Sequence, residues 1–243
     1  KKYFSVKQVY VVAGDFVTSE VTRSEMTELL LDKVNEQITK ECVIGVSGGS
    51  TMYYVAGKAN ETFGYKKKVI ITPIRGGLSV VNTEYQANDI AAKMANNSGH
   101  DYQLLHAPDN IGKKALEELV KEPVVKNALD VIGRTSIIIH SIGNAFEMAH
   151  RRKSSMEILK VLEDKKAVSE SFGSYFDKDG KEVFKTSTIG MSFKDVDGID
   201  NVFTIVGGEE KADAVYSYLC TKPANATLII DEAICKKIIK KLI

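Results

Sequence analysis

Short apolar segments alternate with longer segments of helical spacing along the whole chain. Residues 9–12, 42–46 and 69–74 are short segments dominated by apolar and β-branched side chains. Segments of this kind are typical of strands that are covered on both faces. From Thr22 to Ile38, in contrast, apolar residues recur every three or four positions, as on one face of a helix. The alternation predicts a parallel sheet with helices on both sides.

The same pattern continues to the end of the chain. Further strands are expected at residues 102–106, 136–141, 202–206 and 226–230, and further helices at 51–59, 84–95, 116–132 with a break at Pro123, 145–162, 209–219 and 233–243. Residues 168–183 depart from the alternation, because Asp179-Gly180 lies between β-forming residues and predicts a hairpin turn. We find no repeat or linker, so we expect one domain over residues 1–243.

Composition and charge exclude several classes of protein. The 243 residues are 44% hydrophobic and 27% charged, and the formal net charge of +1 gives no global field for nucleic acid or membrane. Three cysteines without a CxxC pair favour a reduced, cytoplasmic location, and there is neither a signal-peptide pattern nor an apolar run long enough to span a bilayer. The chain begins with Lys1, so we expect a fragment whose natural N-terminus lies upstream.

Glycine-rich motifs follow most of the predicted strands. They are SGGST at 47–51, RGG at 75–77, IGN at 142–144 and GGEEK at 207–211, with Asp-Glu at 231–232. In open α/β sheets, ligands bind outside the carboxyl ends of the strands. Glycine lets the backbone approach a ligand, a helix N-terminus attracts anions, and an arginine fork suits phosphate. Together the motifs predict an anion site, most simply for a phosphate.

Each motif alone has a simpler interpretation. SGGST can be a tight turn with Ser50 as helix cap, Arg75 can be a surface salt bridge, and Lys211 can be a solvated lysine beside two glutamates. The cluster Arg151-Arg152-Lys153 can be a solvated helix face or a second anion contact. A P-loop GxxxxGK[ST] and a GxGxxG after the first strand are both absent, which argues against P-loop nucleotidases and dinucleotide-binding domains.

The chain offers no recognised catalytic motif. None of the four histidines lies in such a motif, and His140 is expected to be a strand residue packed near the site. There is no HExxH, no GxSxG and no metal-ligand spacing, so no catalytic residue and no metal site is predicted. Glu170, Asp231 and Glu232 are carboxylates that could hold sugar hydroxyls or move protons.

The order of the motifs carries a family resemblance. SGGST, RGGL, YQAND, IGNAFEMAHRRKSS, AVSESFGSYFDKDG and VGGEEKADA occur in this sequence along the chain. From about Val9 onward, the chain resembles the effector-binding domain of SorC/DeoR-type bacterial transcriptional regulators. The resemblance implies a Rossmann-like three-layer α/β/α fold, with a mostly parallel sheet and a small antiparallel hairpin insertion. Glucosamine-6-phosphate deaminases and ribose-5-phosphate isomerases have a similar architecture.

The resemblance also implies ligand and partners. The effector would be fructose-1,6-bisphosphate, dihydroxyacetone phosphate or another sugar phosphate, with no cofactor. Operator DNA would be bound only through an N-terminal helix-turn-helix domain absent from this chain, in a homodimer or tetramer. By motif, the phosphate cradle would be Gly49, Ser50 and Thr51, and further phosphate or sugar contacts would be Arg75, Gly76, Gly77 and Lys211. Sugar-hydroxyl contacts would be Gln86 and Glu170, and the second phosphate would be bound by Arg151, with Arg152 as its neighbour.

Three hypotheses follow from the sequence. The favoured one is a non-catalytic, ligand-sensing domain of a transcriptional repressor of glycolytic or sugar-metabolism genes. The second is a sugar-phosphate isomerase or deaminase on a similar fold, which needs a placed base. The third is an interaction module without a small ligand, which leaves the glycine-rich strand ends and their cations unexplained.

Overall fold

The computed structural model describes residues 3–77, 83–108 and 112–242. Its strands are β1 (Gln8–Val12), β2 (Glu41–Val46), β3 (Lys68–Pro73), β4 (Asp101–Tyr102), β5 (Thr135–His140), β6 (Gly143–Asn144), β7 (Ser169–Ser171), β8 (Ser174–Phe176), β9 (Glu182–Lys185), β10 (Asn201–Val206) and β11 (Ala226–Asp231). Seven of them form a parallel sheet in the order β1-β11-β10-β5-β2-β3-β4. Strands β6 to β9 form a separate antiparallel sheet. The predicted α/β fold with a small antiparallel insertion is therefore confirmed.

Helices follow the strands as the pattern predicts. They are α1 (Glu20–Asn35), α2 (Ser50–Lys58), α3 (Ala87–Ser98), α4 (Lys113–Leu119), α5 (Pro123–Ile132), α6 (Ala145–Arg151), α7 (Met156–Asp164), α8 (Phe193–Val196), α9 (Ala212–Cys220) and α10 (Glu232–Leu242), with short 3₁₀ turns at Thr83–Tyr85 and Glu209–Lys211. Pro123 begins α5 at its first turn, where a missing N–H costs nothing. Within the described ranges, no helix combines the length and the apolar character that a membrane span requires.

The chain divides into two compact units. Unit 1 comprises Lys1–Met26, Ile142–Thr186 and Thr204–Ile243, and unit 2 comprises Thr27–Ser141 and Ser187–Phe203. The apolar strand segments of both units are buried: β11 at all of its positions and β2 at all except the first. This burial on both faces explains why these strands lack the alternation of apolar and polar residues.

Two predicted elements are wrong in extent. The helix expected over 145–162 is two helices, because the chain turns at Lys153, which has a φ of 51°, and Ser155 caps α7 by accepting the N–H of Ile158. The strand expected over 102–106 ends at Tyr102. Beyond it, the N–H of Leu105 donates to the Asn88 side chain, which donates back to the Leu105 carbonyl, so this backbone is paired without a ladder.

The antiparallel insertion contains two tight turns. The predicted turn at Asp179-Gly180 lies between β8 and β9, where Gly180 has a φ of 77° and the Asp177 carboxylate accepts the N–H groups of Asp179 and Lys181. A second turn, which the sequence pattern did not reveal, joins β7 to β8 at Phe172-Gly173, and both residues have positive φ. Tyr175 on β8 is fully buried in the core of this part of unit 1.

Candidate functional site

In unit 2, residues Ser47–Thr51 form a glycine loop between β2 and α2. Gly49 occupies the N-cap of α2 with φ 121° and ψ 159°, and no side chain caps the helix there. Ser50 is therefore the first helical residue and not the cap, so that part of the turn interpretation is wrong. The first N–H groups of a helix lack intrahelical partners and carry partial positive charge. The loop presents this end of α2 with an exposed Ser50 and a buried Thr51.

The start of α3 lies directly against the glycine loop. The N–H of Gly49 donates to the Tyr85 carbonyl at 2.8 Å. A Cβ atom at Gly48 would lie 2.8 Å from the same carbonyl oxygen, so the close approach requires glycine. Gln86 is the N-cap of α3, and its Oε1 lies 3.5 Å from where a Cβ of Gly77 would stand. The structure thus brings the glycine loop, Gly77 and Gln86 together.

Arg75 follows the neighbouring strand β3. Strands β2 and β3 are in parallel register up to Val46 and Pro73, and the N–H of Ile74 donates to the Val46 carbonyl at 3.0 Å. The Arg75 motif and the glycine loop therefore leave the sheet side by side. Only 7% of Arg75 is exposed, so the interpretation as a surface salt bridge is wrong. A buried guanidinium needs polar or anionic groups around it.

The end of β5 is hydrogen-bonded to Ser47, the first residue of the glycine loop. The N–H of Ser47 donates to the Ile139 carbonyl at 3.1 Å, and the Ser47 hydroxyl accepts the N–H of Ser141 at 3.4 Å. His140, which lies between Ile139 and Ser141 in the chain, is a buried strand residue, as predicted. Burial lowers the pKa of His140 to about 3, so the imidazole is neutral near pH 7.

In unit 1, the cluster Arg151-Arg152 divides into two roles. Arg151 forms an ion pair with Glu147 one helical turn earlier, and both side chains are about half exposed. Arg152 points into the unit, where its guanidinium donates to the Tyr175 hydroxyl at 3.1 Å and to Glu170 Oε1 at 3.0 Å. Glu170 Oε1 also accepts the N–H of Gly173 at 2.6 Å. Arg152 and Glu170 thus hold the end of α6 against the β7–β8 turn, a role that sequence reasoning missed.

Lys211 ends the 3₁₀ turn that precedes α9. Burial lowers its pKa, and the positive charge of Arg151 acts in the same direction, whereas Glu147, Glu210 and Asp231 oppose the shift. Lys211 is thus partly withdrawn from solvent and shares its electrostatic surroundings with Arg151 and Glu147. The interpretation of Lys211 as a solvated lysine does not hold, because its side chain is only partly exposed.

The loop that carries Lys211 is anchored by Asp231. This carboxylate is fully buried, and its Oδ2 accepts the N–H groups of Phe16 at 2.9 Å and Gly208 at 2.6 Å. Its Oδ1 accepts the N–H of Ile234 at the start of α10. Asp231 therefore ties the loops that follow β1 and β10 to the start of α10 in unit 1. An aspartate placed directly between a strand and a helix is the signal that could have suggested this role.

Comparisons with known proteins identify the family of the chain. A family model described as "Putative sugar-binding domain" matches residues 1–240. The chain belongs to this sugar-binding domain family. The Central glycolytic genes regulator of Bacillus subtilis (strain 168) is 33% identical over 240 residues, which are 99% of this chain and 70% of that protein.

Solved structures of transcriptional regulators are similar to this chain. A crystal structure described as "the putative SorC family transcriptional regulator from Enterococcus faecalis" shares 36% identity and a TM-score of 0.91, covering 98% of this chain and 96% of that one. The full-length sorbitol operon regulator SorC of Klebsiella pneumoniae shares the fold, with a TM-score of 0.83 at 18% identity over 98% of this chain and 78% of that one. The predicted resemblance to SorC/DeoR-type regulators is confirmed.

Within this sugar-binding domain, the predicted ligand residues form two sets. Unit 2 holds Gly49, Ser50, Thr51, Arg75, Gly76, Gly77 and Gln86, and unit 1 holds Arg151, Arg152, Glu170 and Lys211. No group of His, Cys, Asp or Glu side chains in the described segments is arranged to hold a metal ion. The chemistry available in both sets is that of anion and hydroxyl binding.

Proposed function

We propose that this chain is the effector-sensing domain of a transcriptional repressor and that its effector is a phosphorylated sugar. Fructose-1,6-bisphosphate, or a related hexose or triose phosphate such as dihydroxyacetone phosphate, is the ligand class. The observation that carries the proposal is the buried Arg75 beside the glycine loop at the carboxyl ends of two adjacent strands. Backbone N–H groups at a helix N-terminus together with a guanidinium fork suit a phosphate dianion.

The residues of unit 2 take the first phosphate in this proposal. Ser50 and Thr51 supply N–H groups and hydroxyls, because the Gly49 N–H is already used by the Tyr85 carbonyl. Gln86 offers amide groups to a sugar hydroxyl, and its position beside Gly77 supports this role. The backbone of Gly77 lets the ligand lie close to the main chain in this proposal, whereas the space beside Gly76 is taken by the Ala107 carbonyl and Ile189.

The residues of unit 1 take a further anionic group in this proposal. Arg151 is favoured over Arg152 as the ligand contact, because Arg152 is engaged with Glu170 and Tyr175 inside the unit. Lys211 joins Arg151 in this proposal, since the two cations repel each other electrostatically and a phosphate bound by both would offset that repulsion. The role of Glu170 toward sugar hydroxyls stays a prediction.

A sensor is favoured over a catalyst. Two carboxylates that could have moved protons have structural partners: Asp231 accepts three N–H groups, and Glu170 accepts from Arg152 and Gly173. The relative from Bacillus subtilis is named a gene regulator. In a sensor, the ligand acts only through different affinities for two states of the protein. We propose that it thereby alters DNA binding by a helix-turn-helix domain outside this chain, in a homodimer or tetramer.

Isothermal titration calorimetry tests the proposal directly. The chain is titrated with fructose-1,6-bisphosphate, fructose 6-phosphate and dihydroxyacetone phosphate, with fructose as the unphosphorylated control. We expect binding of at least one phosphorylated sugar and none of fructose. A ligand at 100 times its Kd should also raise the free energy of unfolding by about 2.7 kcal/mol. Absence of heat and of thermal stabilisation with every phosphorylated sugar would contradict the proposal.

A turnover assay separates the sensor from the enzyme. The chain is incubated with ribose 5-phosphate, glucosamine 6-phosphate and the sugar phosphates that it binds, and the mixture is analysed for isomerised or deaminated product. We expect binding without turnover. Sustained turnover that scales with protein concentration and is lost with Arg75→Ala would establish the isomerase or deaminase hypothesis instead.

A further inference from the structure

Residues Ile189–Met191 in unit 2 pair with the backbone on both sides of Arg75. An antiparallel bridge joins Arg75 to Gly190. The N–H of Gly76 donates to the Ile189 carbonyl at 3.0 Å, and the N–H of Met191 donates to the Ile74 carbonyl at 2.8 Å. The backbone that carries the Arg75 side chain is therefore held by two hydrogen bonds from one short segment, which we name the 189–191 segment.

Gly190 is required for this pairing. Its φ is 108°, which residues with a side chain rarely adopt. A Cβ atom at this position would lie 2.5 Å from the Ile74 carbonyl oxygen and 2.9 Å from the Cα of Arg75. Both neighbours are backbone atoms, which cannot rotate away as the end of a side chain would. Any residue other than glycine must push the 189–191 segment away from Arg75.

The opposite flank of the Arg75 motif is equally close. A Cβ atom at Gly76 would lie 2.7 Å from the Ala107 carbonyl oxygen and 2.7 Å from Cγ2 of Ile189. The chain at Gly76 therefore runs between the 189–191 segment and Ala107, with close neighbours from both. The backbone that carries the buried Arg75 is therefore held from both sides.

We propose that Gly190 is a positioning residue for Arg75 and that the 189–191 segment sets the affinity for phosphate through it. The inference rests on the proposed function of Arg75. Ordering a binding group when the ligand arrives costs free energy and weakens the affinity. A backbone that is held on both sides is already ordered, so this cost is smaller. Gly190 touches no ligand in this proposal, and its contribution passes entirely through the position of Arg75.

A double-mutant cycle tests this dependence. Wild type, Gly190→Ala, Arg75→Ala and the double variant are titrated calorimetrically with fructose-1,6-bisphosphate, and their thermal unfolding is recorded. We expect Gly190→Ala to raise Kd roughly 10-fold in the wild-type background and less than about 2-fold in the Arg75→Ala background. If Arg75→Ala binds too weakly to measure, Arg75→Lys serves as the second background, because it keeps the charge without the fork. Equal losses in both backgrounds, or no loss in either, would overturn the inference.

Two further variants separate a loss of affinity from a loss of folding stability. Gly99→Ala is the matched control, because Gly99 also has a positive φ of 70° but a Cβ there would meet nothing within 4 Å. It should lower the thermal stability while leaving Kd within about 2-fold. Ile189→Ala is the milder test if Gly190→Ala fails to fold, since it removes the side chain packed at Gly76 and keeps the backbone pairing. It should raise Kd about 3-fold, and an unchanged Kd with Ile189→Ala would overturn the inference.

The cycle also separates this inference from the proposed function. If wild type binds no sugar phosphate at all, the proposed function fails and the inference with it. If wild type binds and the two losses are additive, the proposed function stands and only the positioning role of Gly190 is refuted.

Discussion

The two sets of predicted ligand residues are built from different materials. In unit 2, three of the seven residues are glycines: a side chain at Gly76 would meet neighbouring atoms, Gly77 lies beside Gln86, and Gly49 has a conformation that favours glycine. In unit 1, the set is made of charged side chains, and Arg151 and Arg152 each have an acidic partner in the same unit. The comparison teaches that a glycine motif marks a backbone shape, whereas a cluster of cations in the sequence includes charges that are paired with acids of the same unit.

The largest effect should come from Arg152→Ala in unit 1. The change leaves Glu170, whose side chain is 5% exposed, without its guanidinium partner. Loss of one partner of a buried pair leaves an uncompensated charge, so we expect about 3 kcal/mol less free energy of unfolding, measured in urea. Arg151→Ala is the matched control and should change this free energy by less than about 0.5 kcal/mol, because its ion pair is exposed. Equal effects of the two variants would remove the distinction between them.

The next effect should come from Gly49→Ala in unit 2. No atom blocks a Cβ there, so the cost is that of the backbone conformation alone, about 2 kcal/mol. Gly57→Ala in the same helix α2 is the control: a Cβ there meets only the Lys93 side chain at ordinary distances. Alanine has a higher helix propensity than glycine, so Gly57→Ala should raise the free energy of unfolding by about 0.5–1 kcal/mol. Urea unfolding measures the change in the free energy of unfolding for both variants. A change of the same sign in both would contradict the positive φ described for Gly49.

A smaller effect, on the pH dependence of stability, should come from His140, whose buried imidazole is neutral near pH 7. Its folded pKa of about 3 lies below the unfolded value of about 6.5, so the unfolded state binds the proton first as the pH falls. Its contribution to stability is complete above pH 6.5 and is lost toward pH 3, at about 1.4 kcal/mol per pH unit.

The difference between His140→Gln and wild type isolates this contribution. Between pH 7 and 5, His140→Gln should lose less free energy of unfolding than wild type does. His106→Gln, which makes the same substitution at an exposed histidine, is the matched control. A pH slope unaffected by His140→Gln would show that this imidazole takes up its proton without unfolding.

The smallest effect, and the most specific, should come from Arg151→Ala on ligand binding. If Arg151 contacts a further phosphate, its loss should raise the Kd of fructose-1,6-bisphosphate about 10-fold, which is close to one charge-assisted hydrogen bond. The Kd of fructose 6-phosphate should change less than about 2-fold. Lys153→Ala removes a neighbouring exposed cation as a control. Equal losses for both sugars would show that Arg151 does not distinguish the second phosphate.

Most of the framework was predictable from local pattern. The apolar segments marked nearly every strand of the parallel sheet, since strands buried on both faces must be continuously apolar. The glycine-rich strand ends were also visible in the sequence. Glycine at a strand end usually serves a tight turn or a close approach of the backbone. The exceptions are local: a serine cap divided the predicted long helix at Ser155, and the Asn88 side chain replaced a strand ladder at Leu105.

The sequence by itself determined the α/β class, the positions of the motifs and the family. It could not determine which charges are paired inside the protein, because Glu170 and Arg152 are eighteen positions apart and meet where β7 pairs with β6, the strand that precedes α6. Nor could it reveal Gly190, which lies far along the chain from Arg75 and pairs with it across a single bridge. Local periodicity follows from the geometry of one element, whereas such partners are chosen by packing between elements, and only the tertiary structure decides them.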